Sequence, residues 1–271
     1  MNAMNSSKPR TSRATRQHRD QQSSRQLRYK HLAFGVGLAL GSLLVCGMAT
    51  AAGAGAVAAN QSPTGGKVVG GTGSITQSGA STVINQQSKL LALDWQTFNV
   101  GKDASVLFNQ PGTSAIALNR ILDQNPSQIF GKVTSNGQIF LINTHGIIFG
   151  ASAQLNVGGL VASTLDLTPQ DFLKEHFSLD AHGGNAGIVN HGTIAAASGG
   201  SVSLVGGQVE NDGLIVADYG HINLDGADRA VLDFDGNGLI SVEITGALQK
   251  RLNADQAAVT NSGTLKASSG T

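Results

Sequence analysis

The sequence predicts an all-β solenoid built of short strands, with coils of about 20 residues. Three observations predict it. First, two phrases repeat: Asn190-x-Gly192-x-Ile194 returns as Asn211-x-Gly213-x-Ile215, 21 positions later, and again as Asn261-x-Gly263-x-Leu265. Ser198 to Gly206 likewise returns as Asp218 to Gly226, 20 positions later. Second, from Asn119 to Leu165 short apolar runs (Gln138 to Ile142, Gly146 to Phe149, Leu155 to Val157) are broken by Asn-Pro, Asn-Gly, His-Gly and Gly-Gly. Gly and Asn accept turn geometries that other residues resist, so runs between such breakers read as strands. Third, of 271 residues 36 are Gly, 40% are hydrophobic and only 13% are charged, which is too apolar and too weakly charged for disorder. In a solenoid each coil buries its face against its neighbours alone. Residues 60–271 correspond to about ten such coils, with Ile194, Ile215 and Leu265 pointing inward.

Residues 1–59 read as an extended basic n-region and a secretory signal peptide. Residues 1–30 hold eight of the 18 basic residues and one acid, Asp20. Leu32 to Met48 is uncharged and mostly apolar, and the run ATAAGAGAVAAN follows. That order is the n-region, h-region and small-residue cleavage zone of an exported chain, with candidate cuts after Ala51 or Ala59. The rival is an uncleaved membrane anchor, since about 20 apolar residues can span a bilayer. A basic head that binds nucleic acid is a third reading. From Asn60 onward ten basic residues face sixteen acidic ones, so the rest of the chain carries −6 and lacks the positive surface that nucleic acid requires. Cys46 is the only cysteine and falls in the h-region, so the exported part forms no disulfide.

After Asn60 the strands follow in order. Gly65 to Ser81 is Gly- and Ser-rich and reads as a capping or edge segment. Thr82 to Ile84, Leu90 to Leu93, Ser105 to Asn109 and Ala115 to Leu118 read as strands, with Pro111-Gly112 turning between the last two. Trp95 and Phe98 are expected to be buried. Thr168-Pro169-Gln170-Asp171 opens a helix: Thr168 caps, Pro169 suits the first helical position, and Phe172, Leu173 and Phe177 face the body. A second helix is expected over Ile244 to Leu252, from Leu248 and Leu252 four apart and Lys250-Arg251 near its end. Both helices are expected outside the stack. Residues 244–271 then read as a short helical insertion and the start of a further, truncated coil.

Chemistry is sparse. Asp233-x-Asp235-x-Asn237-Gly238 begins like an EF-hand loop, but the twelfth position is Ile244 where a bidentate Glu is needed. A strand-turn-strand reading is preferred there. The seven His residues show no ligand spacing, so neither metal nor cofactor is expected. A β-helical polysaccharide lyase or hydrolase would need acids and bases clustered along one face of successive coils. Arg120, Lys132 and Arg229 look isolated, and no nucleophile-base pair can be assembled.

The stretch NRILDQNPSQIFGKVTSNGQIFLINTHGIIFGASAQLNVGGLVASTLDL, with the preceding LDWQTFNVGKDASVLFNQPGTSAIALNRI, resembles the two-partner secretion domain of filamentous-haemagglutinin-type exoproteins. The resemblance covers roughly Gly65 to Gly238, and residues 60–243 are assigned to that domain. It implies a right-handed parallel β-helix with an N-terminal cap and small extra-helical elements. It also implies a secreted haemagglutinin- or adhesin-like exoprotein of a Gram-negative bacterium, without enzyme activity. Such a chain crosses the inner membrane through the Sec translocon and is then recognised by a cognate outer-membrane β-barrel transporter. Host or bacterial surface glycans are the implied targets of an adhesin or a surface carbohydrate-binding protein. The family motif Asn-Pro-Asn-Gly-Ile is matched by Asn143-Thr144-His145-Gly146-Ile147, which shares Asn143, Gly146 and Ile147 and departs at Thr144 and His145. These five residues are the expected recognition and turn motif. Asn125-Pro126 is the nearest echo of the family's Asn-Pro-Asn-Leu, and Asn136-Gly137 is a further secondary candidate.

Overall fold

The computed structural model describes residues 56–234, 239–249 and 257–268. The signal-peptide and anchor readings of residues 1–55 lie outside them. Among the described residues no helix is long and apolar enough to cross a membrane.

The chain winds a parallel β-solenoid of about six turns with three faces. One coil shows the path. Gln138–Ile142 runs along the first face, turns at Asn143, and continues as Ile147–Phe149 on the third face. After Gly150 it returns as Gln154–Val157 on the second face, and Gly158 leads to Gly159–Ser163, one level on. Stacking is in register: Leu160 pairs with Ile139, and Ile194 pairs with Leu155 on one side and Ile215 on the other. Register is fixed because side chains alternate in and out, so a one-residue slip would turn the apolar set to solvent. Ile84, Val106, Leu155, Ile188, Ile194, Leu204 and Ile215 fill the interior and are buried.

The expectation of about ten coils is corrected to about six. Two excursions consume chain without adding a level. Thr164 reaches Gly207 across 43 residues, and the step from Asn211 to Asn261 is 50 residues where the preceding step, from Asn190, is 21. Leu265 pairs with Ile215 as the repeat predicts, but it is 42% exposed at the last described level, so its expected inward burial is not met.

The start is capped by antiparallel strands, as the Gly- and Ser-rich composition implies. Lys67–Gly70 pairs antiparallel with Leu90–Trp95, and Gly73–Ser78 pairs antiparallel with Ser81–Gln86. Trp95 and Phe98 are buried beneath this cap, ring edge to face with centroids 5.4 Å apart. Buried Trp95 needs a partner for its N–H, and Nε1 donates to Oδ1 of Asn119 at 3.0 Å.

A second core lies outside the solenoid. The first excursion carries the predicted helix, Pro169–Leu173, with Asp171 N donating to the Thr168 hydroxyl at 3.1 Å. Phe172 packs with Phe177 and Phe234 against Phe140, whose ring points out of the first face yet is fully buried. Leu173, expected to face the body, is 39% exposed. The second excursion corrects the other predicted helix. Ile240–Ala247 is a strand, antiparallel to the long strand Ile222–Phe234. The run Ile240-Ser-Val-Glu-Ile-Thr245 is β-branched at four of six positions and finds a partner strand, which outweighs a Leu pair at helical spacing. Lys250 to Leu252, and Asp235 to Gly238 of the EF-hand-like phrase, lie outside the described residues.

Candidate functional site

Asn143 is the hub of the corner between the first and third faces. Its backbone N donates to Ser163 O on the next coil at 3.0 Å. Its amide Nδ2 donates to Asn125 O at 3.1 Å and to the Ser127 hydroxyl at 3.0 Å on the preceding coil. Its Oδ1 accepts from the His145 backbone N at 2.9 Å, closing an Asx turn. One fully buried residue therefore ties three successive levels, the side chain reaching the level below and the backbone N–H the level above. Gly146 adopts φ +119, a backbone conformation that L side chains avoid, and Pro126 lies beneath it. Ile147 is fully buried and pairs with Ser127 below and Ile188 above.

Thr144 and His145 differ from these three. They form the tip of the turn; Thr144 is half-buried and His145 exposed. Their side chains lie 3.3 Å apart through Oγ1 and Nδ1, and no strand uses them. Register places Asn125 and Pro126 directly below His145 and Gly146, since Ser127 is the partner of Ile147. The structure thus brings the Asn125-Pro126 candidate to the primary motif. Asn125 is itself held by Asp123, whose Oδ1 accepts from its backbone N at 3.1 Å and its Nδ2 at 3.0 Å. Asn136-Gly137 is at a different corner, between the second and first faces. There Asn136 clasps the Gln110 backbone with Nδ2 to O and N to Oδ1 bonds, both 2.8 Å.

Sequence reasoning missed the surroundings of the tip. A cavity of about 170 Å³ beside it is lined by Leu122, Asp123, Thr144 and His145, with Arg120 and Asp166 at its side. Leu122 is 54% exposed, the largest exposure of any aliphatic side chain near the corner. Arg120, which looks isolated in the sequence, is corrected: its Nε and Nη2 donate to the two carboxylate oxygens of Asp166 at 2.9 and 3.1 Å. The hydrogen bond to Asp166 raises the Arg120 pKa against the opposing effect of burial, and Asp94 adds to the rise. This fork pins the start of the first excursion to the coil beneath the tip. No sequence spacing links residues 46 apart, so only the exposed apolar Leu122 next to Asp123 hinted at a surface here. Among the described residues no group of three or more His, Cys, Asp or Glu side chains is placed to hold a metal.

The turn built around Asn143 is the one that the sequence resemblance singled out, and comparison with known proteins identifies the family of the chain. A model described as the TPS secretion domain matches residues 54–270. The chain belongs to that family. This TPS secretion domain is 31% identical to the HMW1 secretion domain from Haemophilus influenzae, with a TM-score of 0.66 over 75% of this chain and 53% of that one. A heme/hemopexin-binding protein of Haemophilus influenzae Rd is 38% identical over 120 residues, 44% of this chain and 13% of the relative. A second Haemophilus influenzae protein of that description is 42% identical over 102 residues, 37% of this chain and 11% of the relative. The chain thus spans a small part of the curated relatives it matches. TPS exoproteins are secreted by Gram-negative bacteria, and membership implies a cognate outer-membrane transporter as partner.

Proposed function

We propose that this chain is the amino-terminal module of a secreted or surface-held adhesin-like exoprotein, and that the Asn143–Ile147 turn is the address its transporter reads. The observation that carries this reading is the division of labour at the turn. Asn143, Gly146 and Ile147 hold the corner, whereas the side chains of Thr144 and His145 project from it and lie against each other. Asn125 and Pro126, one level below, and exposed Leu122 extend the same surface. A finished β-helix is wider than the lumen of a small barrel, so the transporter binds before the stack is complete and reads turns and short extended segments. Tip residues that folding does not require are then free to differ between transporter pairs. Asn136-Gly137 serves instead as a structural corner.

The chain reaches the transporter through the Sec translocon and the periplasm, led by residues 1–51 or a slightly longer signal peptide. Once outside, the cap beneath Lys67–Gly70 starts the stack, and each level templates the next. No enzyme activity is expected of the module, and the Arg120 guanidinium beside the cavity is committed to Asp166. Surface glycans are the targets proposed for the exoprotein as a whole. Co-expression of the chain with its cognate outer-membrane transporter tests the reading. Export that depends on that transporter is the expected result; equal release without it contradicts the proposal. A screen on acidic polysaccharides tests the enzyme alternative, with no turnover expected.

A further inference from the structure

The sequence offers signal-peptidase cuts after Ala51 and after Ala59. The geometry points to processing upstream of Ala58, which removes the Ala59 site and leaves Ala49-Thr50-Ala51. This assignment rests on the signal-peptide reading above.

Residues 58–64 are built into the folded module as the level before its first coil. The Ala58 carbonyl accepts from Gln61 N at 2.9 Å, closing a turn. The Ala59 carbonyl accepts from Asp103 N at 2.7 Å, and the Gln61 carbonyl accepts from Gly101 N at 2.8 Å. The segment continues into the cap. Thr64 N donates to Thr97 O at 2.9 Å, Thr64 O accepts from Gln96 N at 3.0 Å, and the Gln77 side chain donates to Pro63 O at 2.6 Å.

Gly101 explains why the two alanines belong to the mature chain. A Cβ at Gly101 would collide with the carbonyl oxygens of Ala58 and Ala59. The same close approach recurs up the stack: a Cβ at Gly131 would meet Gly101 O, one at Gly213 would meet Gly192 O, and one at Gly263 would meet Gly213 O. Ala58 and Ala59 therefore stand to Gly101 as each corner stands to the glycine of the level above it. They are the lowest corner of the solenoid. Cutting after Ala59 would delete both carbonyl acceptors, leave Asp103 N without its partner, and place an ammonium group at Asn60 beside the first coil.

Intact-mass analysis of the precursor after export by a Gram-negative host tests this. The expected amino terminus lies at or before Ala58, at Ala52 for the Ala49-Thr50-Ala51 site; a terminus at Asn60 or later overturns the assignment. Retention of residues 1–51 in the exported product overturns the signal-peptide reading itself, and the assignment falls with it. The Ala59 side chain is exposed, so Ala59→Phe is compatible with the fold, while a bulky residue blocks cleavage directly after it. Ala59→Phe is expected to be processed like the wild type, and a block in processing contradicts the proposal. A chain beginning at Asn60 is expected to melt about 4–8 °C below one beginning at Ala52. Equal melting would overturn the role assigned to Ala58 and Ala59 as the lowest corner.

Discussion

Two asparagine corners of this solenoid use one residue type in opposite ways. At the corner after Gly187–Asn190, three asparagines stack side chain to side chain. Asn190 Nδ2 donates to Asn211 Oδ1 at 2.7 Å, and Asn211 Nδ2 donates to Asn261 Oδ1 at 2.6 Å. At the corner after Gln138–Ile142, Asn143 stands alone in its column and binds backbone and hydroxyl groups of the levels on both sides. The ladder corner repeats in sequence because each asparagine needs another above it. The Asn143 corner does not repeat, because its partners are carbonyls and a serine that any strand can supply. The difference extends to the tips. In the ladder the middle residues bond each other: Asp212 lies 3.3 Å from His191 Nδ1 and accepts from the Ser262 hydroxyl. At the other corner the Thr144 and His145 side chains lie against each other within one level. At the periodic corner the tip residues bond across levels, whereas at the unique corner they bond within one level, and that tip is the proposed address.

The comparison breaks most severely if the shared interior fails. Ile215→Asp places an unpaired charge in a fully buried column between Ile194 and Leu265, costing several kcal/mol. Loss of the cooperative thermal transition is expected in circular dichroism. Wild-type melting would contradict the register itself.

Next come the two asparagines. Asn211→Ala removes the acceptor of Asn190 Nδ2 and the donor to Asn261 Oδ1, and Asn143→Ala frees the Asn125 carbonyl, the Ser127 hydroxyl and the His145 N–H. Each is expected to destabilise by about 2–4 kcal/mol in urea unfolding. Asn211→Ser is expected to rescue little, since the shorter side chain cannot bridge both neighbours. A far smaller loss at Asn143 than at Asn211 would show that the unique corner is held by something other than its asparagine.

The smallest effect is electrostatic. The Ser262 hydroxyl, with lesser help from Glu210 and His191, holds the exposed Asp212 carboxyl below its ordinary pKa. A carboxyl depressed in the fold stabilises above its unfolded pKa of about 3.9, and that contribution is lost as pH falls through the folded value. Asp212→Asn should therefore narrow the fall in melting temperature between neutral pH and the acid side of the carboxylate range. An unchanged acid limb would remove the tip contacts of the ladder from the account.

Much of this was legible in the residues. The Asn-x-Gly-x-Ile phrases gave the register of the ladder because ladder partners must match. The Thr168-Pro169 start of the helix was legible because capping is local. The coil count was not: the phrases at Thr168 and Ile244 placed insertions outside the stack, but how much chain they consume shows only once Phe172, Phe177 and Phe234 are seen covering Phe140. Residues 244–247 were misread as helix because their partner strand, not their own spacing, decides their state. At the candidate site, the resemblance supplied the five residues, and burial separated them into three that build and two that project. The Arg120–Asp166 fork was invisible, as the two lie 46 positions apart.

The central claim is that the Asn143 corner is scaffold beneath an open tip. The double variant Thr144→Ala, His145→Ala tests it most directly, with melting and transporter-dependent export measured on the same protein. Surface changes of this kind shift stability by no more than about 0.5 kcal/mol. The expected result is wild-type melting with export lowered about tenfold or more, the effect of losing roughly 1.4 kcal/mol of recognition. Wild-type export at wild-type stability would contradict the claim and move the address away from this turn.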